Sequence, residues 1–361
     1  MDSQPTPPVD PVRQQLAAEA ARGPIRVIIQ QPPASWLGRI FRWGFTLLVA
    51  LYVLGSLVNF YHEDDKLAEH WHSLSTTATD RIAIISIEGA IIGEQEFFKQ
   101  QIDHIRDSEH IRAVVLRVDS PGGTVTGSDY IYHHLKKLVE DKQIPLVVSM
   151  GGIAASGGYY VAMAAGDTEN TIYAEPTTWT GSIGVIIPHY DISGLLEKYN
   201  VQDDSIASNP LKMMGSPTRK FPEAIRAEEQ AILKELVDSS FAGFKEIVLD
   251  ARPALRMNEA TQNVVFTGRI FTAKQALENQ LVDRLGFVED AIDRAIELAS
   301  LDKNEVRVIK FKRPHGFMEQ LLIGSESRKQ SIDLTALLDL TAPRAYYMCT
   351  WTPGLSAAPR E

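Results

Sequence analysis

From residue 81 onward, short apolar runs alternate with stretches whose apolar residues recur at helical spacing. Three runs rich in β-branched and aliphatic residues lie at 82–87, 113–118 and 146–150. Helical patterns at about 94–105 and 128–140 separate these runs. Strands joined by helices of this length are typical of parallel βαβ units. Because functional groups lie at the carboxyl ends of parallel strands in such sheets, we expect the site of this protein there.

The remaining pattern predicts further short strands and several helices. A short strand at 171–173 precedes the apolar segment 181–187, and an irregular stretch follows at 202–218. A long amphipathic helix is predicted at 222–248, with Pro222 in its first turn. The last predicted elements are helices at 272–278 and 288–298 and a strand at 306–311. The whole pattern from residue 81 therefore predicts an α/β fold.

A different pattern precedes this region. Residues 43–61 form a run of 19 residues without a charge, which is about the length that a helix needs to cross a membrane. Arg39 and Arg42 precede the run, and acidic residues 63–65 follow it. The positive-inside rule then keeps the N-terminus in the cytoplasm and sends everything after residue 62 to the other side. We therefore predict a single-pass protein of the inner, cytoplasmic membrane, bound to lipid through residues 43–61.

Two alternatives to a retained anchor fit the same run less well. A cleaved signal peptide has a shorter leader and a cleavage site of small residues, whereas this run ends in Asn59-Phe-Tyr-His62. A buried core helix seldom stays uncharged over this length. The predicted organisation is a flexible cytoplasmic tail (1–42), a transmembrane helix (43–61), a stalk (62–79), a globular domain (80–312) and a partly disordered C-terminal extension (313–361).

Composition narrows the classes of function. The net charge of −10 and the pI near 5.5 argue against a protein that binds nucleic acid, which would carry a basic stripe. Cys349 is the sole cysteine, so an intrachain disulfide and a cysteine-based zinc site are excluded. We predict no metal and no cofactor.

Ser156 lies in the stretch that carries the most chemical information. The apolar run at 146–150 breaks at Gly151-Gly152, and a helix is predicted to begin near Ser156, which Gly157 and Gly158 follow. A serine at a strand-to-helix turn lies beside the unpaired amides of the helix start, where developing negative charge is favoured. These are the surroundings that a serine nucleophile needs. The alternative is a plain N-cap serine, since serine is a leading N-cap residue.

A serine nucleophile needs a base and backbone donors. The nine histidines share no pattern that selects one of them as the base. A lysine can act instead if apolar surroundings hold it neutral, and Lys212 is flanked by Leu211 and two methionines. The alternative is a lysine whose stem packs on apolar neighbours while its amine reaches water. The 121–123 Pro-Gly-Gly turn and the Gly157 amide are candidate oxyanion donors, although the former could be a plain turn.

Five motifs occur in a fixed order along the chain and together indicate a family. They are Asp119-Ser-Pro-Gly-Gly123, Ala154-Ala-Ser-Gly-Gly-Tyr159, Gly181-Ser-Ile-Gly-Val185, Lys212-x-x-x-Ser-Pro217, and Gly268-Arg-Ile followed by Leu281-Val-Asp283. The set resembles the signal peptide peptidase A family of membrane-anchored Ser/Lys proteases over roughly residues 80 to 300. The resemblance implies a Clp-protease/crotonase-like fold of repeated ββα units.

The resemblance also implies roles for individual residues. Ser156 is similar to the family nucleophile and Lys212 to its general base. Gly123 is similar to the oxyanion donor that acts beside Gly157, and Ser182 to the serine that orients the lysine amine. The family also implies a ring-like homo-oligomer that cleaves remnant signal peptides near the membrane.

These observations predict a membrane-anchored serine endopeptidase that acts on peptide or protein substrates through a Ser156/Lys212 dyad. One alternative is a crotonase-like enzyme acting on acyl-CoA thioesters, which would share the fold and the glycine oxyanion hole but would need neither Ser156 nor Lys212. A second alternative is a non-catalytic membrane scaffold that uses the domain for assembly.

Overall fold

The computed structural model describes residues 67–93, 95–312 and 345–348, together with residues 12, 15, 44–49 and 52. The chain divides into two compact units, Met1–Glu63 and Asp64–Glu361. In the first unit, residues 44–49 and 52 of the predicted transmembrane segment are helical, and the rest of that segment lies outside the described residues. Within the described part of the chain, no helix has the length and apolar character needed to cross a membrane.

The second unit is built on one large mixed sheet. Its strands, with those of a small second sheet, are β1 (Ala68–Leu74), β2 (Asp80–Glu88), β3 (Ile111–Ser120), β4 (Gly122–Thr124), β5 (Leu146–Ala155), β6 (Ile172–Ala174), β7 (Trp179–Gly181), β8 (Ile270–Thr272), β9 (Arg284–Leu285), β10 (Val306–Lys312) and β11 (Tyr346–Met348). The main path of the large sheet runs β1-β10-β2-β3-β5-β6-β9, while β7 pairs with β5 and β8. The central pairs β10-β2, β2-β3, β3-β5 and β5-β6 are parallel. The small sheet consists of β11 and β4.

Helices cover both faces of the large sheet. They are α1 (Gln95–Asp107), α2 (Val125–Lys142), α3 (Gly157–Ala162), α4 (Ser193–Lys198), α5 (Glu223–Ala251), α6 (Pro253–Arg256), α7 (Glu259–Val265), α8 (Ala273–Glu278) and α9 (Val288–Leu298). Alternate residues of β2 pack in opposite directions: Ala83 and Ile85 join a core that includes α1 and α2, and Ile82 joins a second core with α9. A strand that is buried on both faces needs apolar residues at every position, which explains the continuous runs in the sequence. The predicted α/β class is confirmed.

Strand β5 is longer than the sequence predicts. It continues through Gly151-Gly152 to Ala155, where the sequence indicated a break. The carboxylate of Asp119 accepts a hydrogen bond of 3.0 Å from the Ile153 amide. A β-carbon at Gly151 would lie 3.1 Å from the side chains of both Arg117 and Asp119. Gly151 therefore serves close packing within the strand, and neither glycine forms a turn.

Two strands come from segments that the sequence assigned elsewhere. Residues 68–74, predicted as part of the stalk 62–79, form β1, which pairs antiparallel with β10. The stalk prediction is wrong for these residues, because an edge strand accepts polar side chains that give no apolar pattern. Residues 346–348 of the predicted C-terminal extension form β11. The other domain boundaries stay predictions.

Candidate active site

Ser156 joins the end of β5 to the start of α3, as the sequence predicted. Its backbone has φ 54° and ψ −115°, which is a rarely populated conformation for a residue with a side chain. The serine is 1% exposed, and its side chain makes no capping hydrogen bond to the helix. The alternative of a plain N-cap serine is therefore wrong, because the Ser156 hydroxyl accepts no hydrogen bond from the helix amides. Strained residues of this kind are concentrated at functional sites.

Ser182 lies beside Ser156 across two paired strands. Ala155 of β5 is paired with Gly181 of β7, and the Ser156 amide donates a hydrogen bond of 2.7 Å to the Gly181 carbonyl oxygen. Ser182 itself has φ 51° and is 9% exposed. Its amide donates a hydrogen bond of 2.7 Å to the Arg269 carbonyl oxygen. The sheet thus fixes the two serines next to each other.

The Pro-Gly-Gly turn packs against the start of α3. Gly122 has φ +100°, and a β-carbon on it would lie 2.6 Å from the Gly157 nitrogen. In the same way, a β-carbon on Gly157 would lie 2.4 Å from the hydroxyl oxygen of Ser128. Close approach of the two backbones therefore requires glycine at both positions.

Ser120, which sequence reasoning left without a role, holds this turn. Its hydroxyl oxygen accepts a hydrogen bond of 3.1 Å from the Gly122 amide, and the residue is 0% exposed. The Gly122 amide is therefore occupied. The Gly123 amide, which the resemblance implied as an oxyanion donor, lies in β4, the strand that pairs with β11. A hydroxyl residue two positions before a glycine is the sequence signal of such a turn.

Strand β11 crosses the same region. It pairs antiparallel with β4, with Tyr347 opposite Gly123. On its other side, Tyr346 exchanges two backbone hydrogen bonds, of 2.9 and 3.0 Å, with Ile186. The Tyr347 carbonyl oxygen would lie 3.0 Å from a β-carbon on Gly157, so it is in contact with the start of α3. An extended segment of the chain thus runs between the glycine turn and residue 186.

The Tyr347 side chain occupies an aromatic pocket, and the residue is 2% exposed. Its ring stacks on Tyr160 with centroids 5.0 Å apart and lies 4.6 Å from the ring of Phe244. Its hydroxyl donates a hydrogen bond of 3.0 Å to the Ser240 carbonyl oxygen. Burial raises the pKa of Tyr347 to about 12. Burial and a hydrogen bond to Asp129 also raise the pKa of Tyr160, so both phenols stay protonated at neutral pH.

Lys212 lies on a different element from these residues. It belongs to the 3-10 turn Pro210–Met213, which Asn209 caps through a hydrogen bond of 3.0 Å from the Leu211 amide. The lysine is exposed. Among the described residues, no hydrogen bond or ion pair joins Lys212 to Ser156. The structure therefore brings together Ser156, Gly157, Gly123 and Ser182, but it does not add Lys212 to them.

In the ranges that the structure covers, no group of three or more His, Cys, Asp or Glu side chains is arranged to hold a metal ion. The described site holds a buried serine at the start of α3, where the glycine turn packs, and backbone amides of this kind can stabilise an oxyanion.

Comparisons with known proteins identify the family. A sequence model of Peptidase family S49 matches residues 139–302, and a model of Clp protease matches residues 70–179. A provisionally named protease of Synechocystis sp. is 38% identical over 260 residues, which cover 71% of this chain and 88% of that protein. The chain belongs to peptidase family S49. The predicted resemblance to signal peptide peptidase A is confirmed, and the chain is a serine peptidase.

A second relative is also named as a peptidase. A provisionally named signal peptide peptidase SppA of Enterococcus faecium is 34% identical over 244 residues, which cover 64% of this chain and 67% of that protein. Among solved structures, a ClpP1 variant from Listeria monocytogenes covers 58% of this chain and 94% of its own, at 15% identity and a TM-score of 0.38. Membership in a peptidase family favours the peptidase over the acyl-CoA enzyme and the scaffold.

Proposed function

We propose that this chain is a membrane-anchored serine endopeptidase in which Ser156 is the nucleophile and Lys212 the general base. The single observation that carries the proposal is the conformation and burial of Ser156. It is buried and strained, its hydroxyl does not cap the helix, and Gly122 of the glycine turn packs against the residues on either side of it, Ala155 and Gly157. The match to Peptidase family S49 includes Ser156, Ser182 and Lys212.

The proposed reaction has two steps. In the first, the neutral Lys212 amine takes the proton of the Ser156 hydroxyl while Oγ attacks the peptide carbonyl carbon. The Gly123 and Gly157 amides donate hydrogen bonds to the oxyanion, and Ser182 orients the lysine amine. The lysine then gives its proton to the leaving amine. In the second step, water attacks the acyl-enzyme with Lys212 again as base, and Ser156 is restored.

The exposure of Lys212 supports a homo-oligomer as the active form. A lysine acts as a general base where apolar surroundings exclude water from its amine. The turn carries Leu211, Met213 and Met214 beside the lysine, and these are half-buried in the single chain. Packing of a second copy against this apolar turn would remove the amine from water. We therefore include assembly in the proposed mechanism.

The position of strand β11 supports an extended peptide as the substrate. A peptide that paired with β4 in the antiparallel direction would follow the path of β11, and one of its carbonyl groups would reach the position of the Tyr347 carbonyl beside Gly157. Main-chain pairing of this kind binds peptides with little dependence on sequence. Such a peptide can bind only where β11 has left β4.

The proposal extends to location and to the finer features of the fold. The uncharged run at 43–61, with arginines before it and acidic residues after it, supports a single transmembrane helix with a cytoplasmic N-terminus and a catalytic domain on the extracytoplasmic side of the inner membrane. Remnant signal peptides and other membrane-proximal peptides are then the proposed substrates. The Clp protease match at residues 70–179 supports the repeated ββα units.

A labelling experiment on the full chain in detergent tests the dyad. A fluorophosphonate probe is expected to label the wild type at Ser156 and to fail with Ser156→Ala and Lys212→Ala. Lys198→Ala, which changes another exposed lysine of the same unit, is the matched control and should label as the wild type does. Undiminished labelling of Lys212→Ala would refute Lys212 as the base.

A further inference from the structure

Glu229 stands out on helix α5. Along residues 223–243 of this helix, every residue other than Glu229 is exposed or half-buried. Glu229 is 2% exposed. Glutamate is almost never buried to this extent unless it is paired. Burial of a carboxylate at the one covered position of a largely exposed helix segment needs an explanation.

A backbone amide lies against the Glu229 carboxylate. One carboxylate oxygen of Glu229 accepts a hydrogen bond of 2.5 Å from the Gly215 amide. Within the part of the chain that the structure covers, no lysine, arginine or histidine forms an ion pair with Glu229. The partner of this buried charge is thus a backbone amide, three residues after Lys212.

Gly215 belongs to a compact segment, residues 209–216, which we name the lysine turn. Its backbone hydrogen bonds are internal: Lys212 donates to Asn209, Met214 to Leu211 and Ser216 to Met213, at 3.0 to 3.1 Å. Such a unit moves as one body unless something outside it holds it. The bond to Glu229 is a direct tie between the lysine turn and α5.

The chain after the lysine turn is bonded to Ser216 of the turn, through a hydrogen bond of 3.0 Å between the Ser216 and Thr218 hydroxyls, and to two further groups. The Pro217 carbonyl oxygen accepts a hydrogen bond of 2.8 Å from the Ile192 amide. Thr218 donates one of 2.6 Å to Asp203, and the bonds that Asp203 accepts from Ser205 and Thr218 lower the pKa of Asp203 to about 2. These contacts hold residues 216 to 218 at the end of the turn. Glu229 holds the lysine turn itself, through the Gly215 amide.

Stability alone does not account for a glutamate here. An apolar side chain at position 229 would leave the Gly215 amide without its acceptor, so the carboxylate does more than fill space. A carboxylate does supply a strong, directed acceptor for an amide. We propose that Glu229 is a positioning residue for Lys212: by holding the Gly215 amide, it sets the orientation in which the lysine turn presents its amine. This inference rests on the proposed role of Lys212 as the base.

The test uses steady-state cleavage of a fluorogenic peptide by the full chain in detergent. Glu229→Leu removes the acceptor, and we expect kcat to fall by about 10- to 100-fold while KM changes by less than about threefold, since misplacement of a catalytic group affects chemistry more than binding. Glu229→Gln keeps an acceptor oxygen at the same reach and should retain at least about a third of kcat. Glu228→Leu, at the exposed neighbour, is the matched control and should equal the wild type.

A further variant keeps the test decisive if Glu229→Leu does not fold. Glu229→Asp retains the charge but shortens the side chain by one methylene, so kcat is expected to fall while the thermal transition is preserved. A kcat of Glu229→Leu or Glu229→Asp close to that of the wild type would overturn the inference, as would a loss with Glu229→Gln equal to that with Glu229→Leu. Lys212→Ala separates failure of the proposed function from failure of this inference. If Lys212→Ala stays active, Lys212 is not the base. If Lys212→Ala is inactive while the Glu229 variants keep wild-type kcat, only the positioning role of Glu229 fails.

Discussion

The Ser156 amide nitrogen lies 2.7 Å from the Gly181 carbonyl oxygen and donates a hydrogen bond to it. This bond holds the candidate nucleophile against the strand that leads into Ser182. The backbone conformation of Ser156 costs about 1–3 kcal/mol and persists only where the surrounding structure enforces it. The paired strands β5 and β7 supply that enforcement. The position of the hydroxyl is thus determined by the sheet and not by the hydroxyl's own contacts.

The glycine at position 122 should be indispensable. In Gly122→Ala, the new β-carbon would meet the Tyr347 carbonyl oxygen at 2.1 Å and the Gly157 nitrogen at 2.6 Å, in a backbone with φ +100°. We expect peptide cleavage to fall by about 100-fold or more, because the oxyanion donors would be displaced. Gly166→Ala is the control: its φ is +71° but nothing lies within 4 Å, so it should lose about 1 kcal/mol of stability and no activity.

Ser120→Ala should weaken catalysis through the glycine turn. The variant leaves the Gly122 amide without its acceptor, so the turn is less well ordered around Gly123. We expect kcat to fall by about tenfold, less than for direct loss of an oxyanion donor. Ser193→Ala removes another buried serine, whose hydroxyl bonds Asp191. A kcat for Ser120→Ala as high as that of Ser193→Ala would contradict a role of Ser120 in the turn.

Removal of strand β11 should leave the backbone of β4 free to pair with a peptide. A chain that ends at residue 344 is expected to bind a fluorogenic peptide with a KM lower by about threefold or more, because no internal strand competes for β4. Tyr347→Ala in the full chain should act in the same direction and lose about 3–5 kcal/mol of stability with its buried ring.

Tyr346→Ala is the matched control for this prediction. Its backbone hydrogen bonds to Ile186 do not depend on the side chain, so KM should stay that of the wild type. If the shortened chain and Tyr347→Ala both keep the wild-type KM, the peptide does not bind along β4.

We predict that acid weakens the ion pair between Glu69 of β1 and Arg81 of β2. Burial alone would raise the pKa of Glu69, but hydrogen bonds from His104 and Arg81 outweigh it, and the pKa lies below its usual 4.5. A lowered pKa in the folded state means that the stabilisation is present above pH 4.5 and is lost as the pH falls through the folded value. Glu69→Gln should be less stable by about 1–2 kcal/mol at pH 7, and this difference should vanish near the folded pKa.

Chemical denaturation at pH 7, 5, 4 and 3 checks the prediction. Glu235→Gln, at an exposed position of α5, should follow the wild-type curve. A constant difference between wild type and Glu69→Gln over this range would mean that folding does not lower the pKa of Glu69.

The sequence predicted those elements whose stability comes from their own apolar pattern. Helix α9 has the predicted bounds, 288–298, because one apolar face packs on the sheet. Strands β1 and β11 were not predicted, since a short or polar edge strand is stabilised by the partner it pairs with and not by its own periodicity. Within β5, the Gly151-Gly152 pair looked like a break because sequence does not show which backbone lies beside a glycine.

The candidate site divides in the same way. Ser156 and its glycines could be found because the need for close backbone approach leaves glycine in the sequence. The roles of Ser120 and Glu229 could not, because each depends on a hydrogen bond to an amide whose direction only the fold sets. The surroundings that we propose for Lys212 involve a second copy of the chain, and the sequence of one chain contains no pattern for such contacts.

The bond from the Ser182 amide to the Arg269 carbonyl oxygen has a consequence for the protein's biosynthesis. Ser156 leaves the ribosome long before residue 269 does, and domains fold as their last segments become available. A nascent chain therefore carries the hydroxyl without the backbone that completes its surroundings. Proteolytic capacity arises only after translation of the domain is nearly finished, so unfinished copies pose no threat to neighbouring polypeptides.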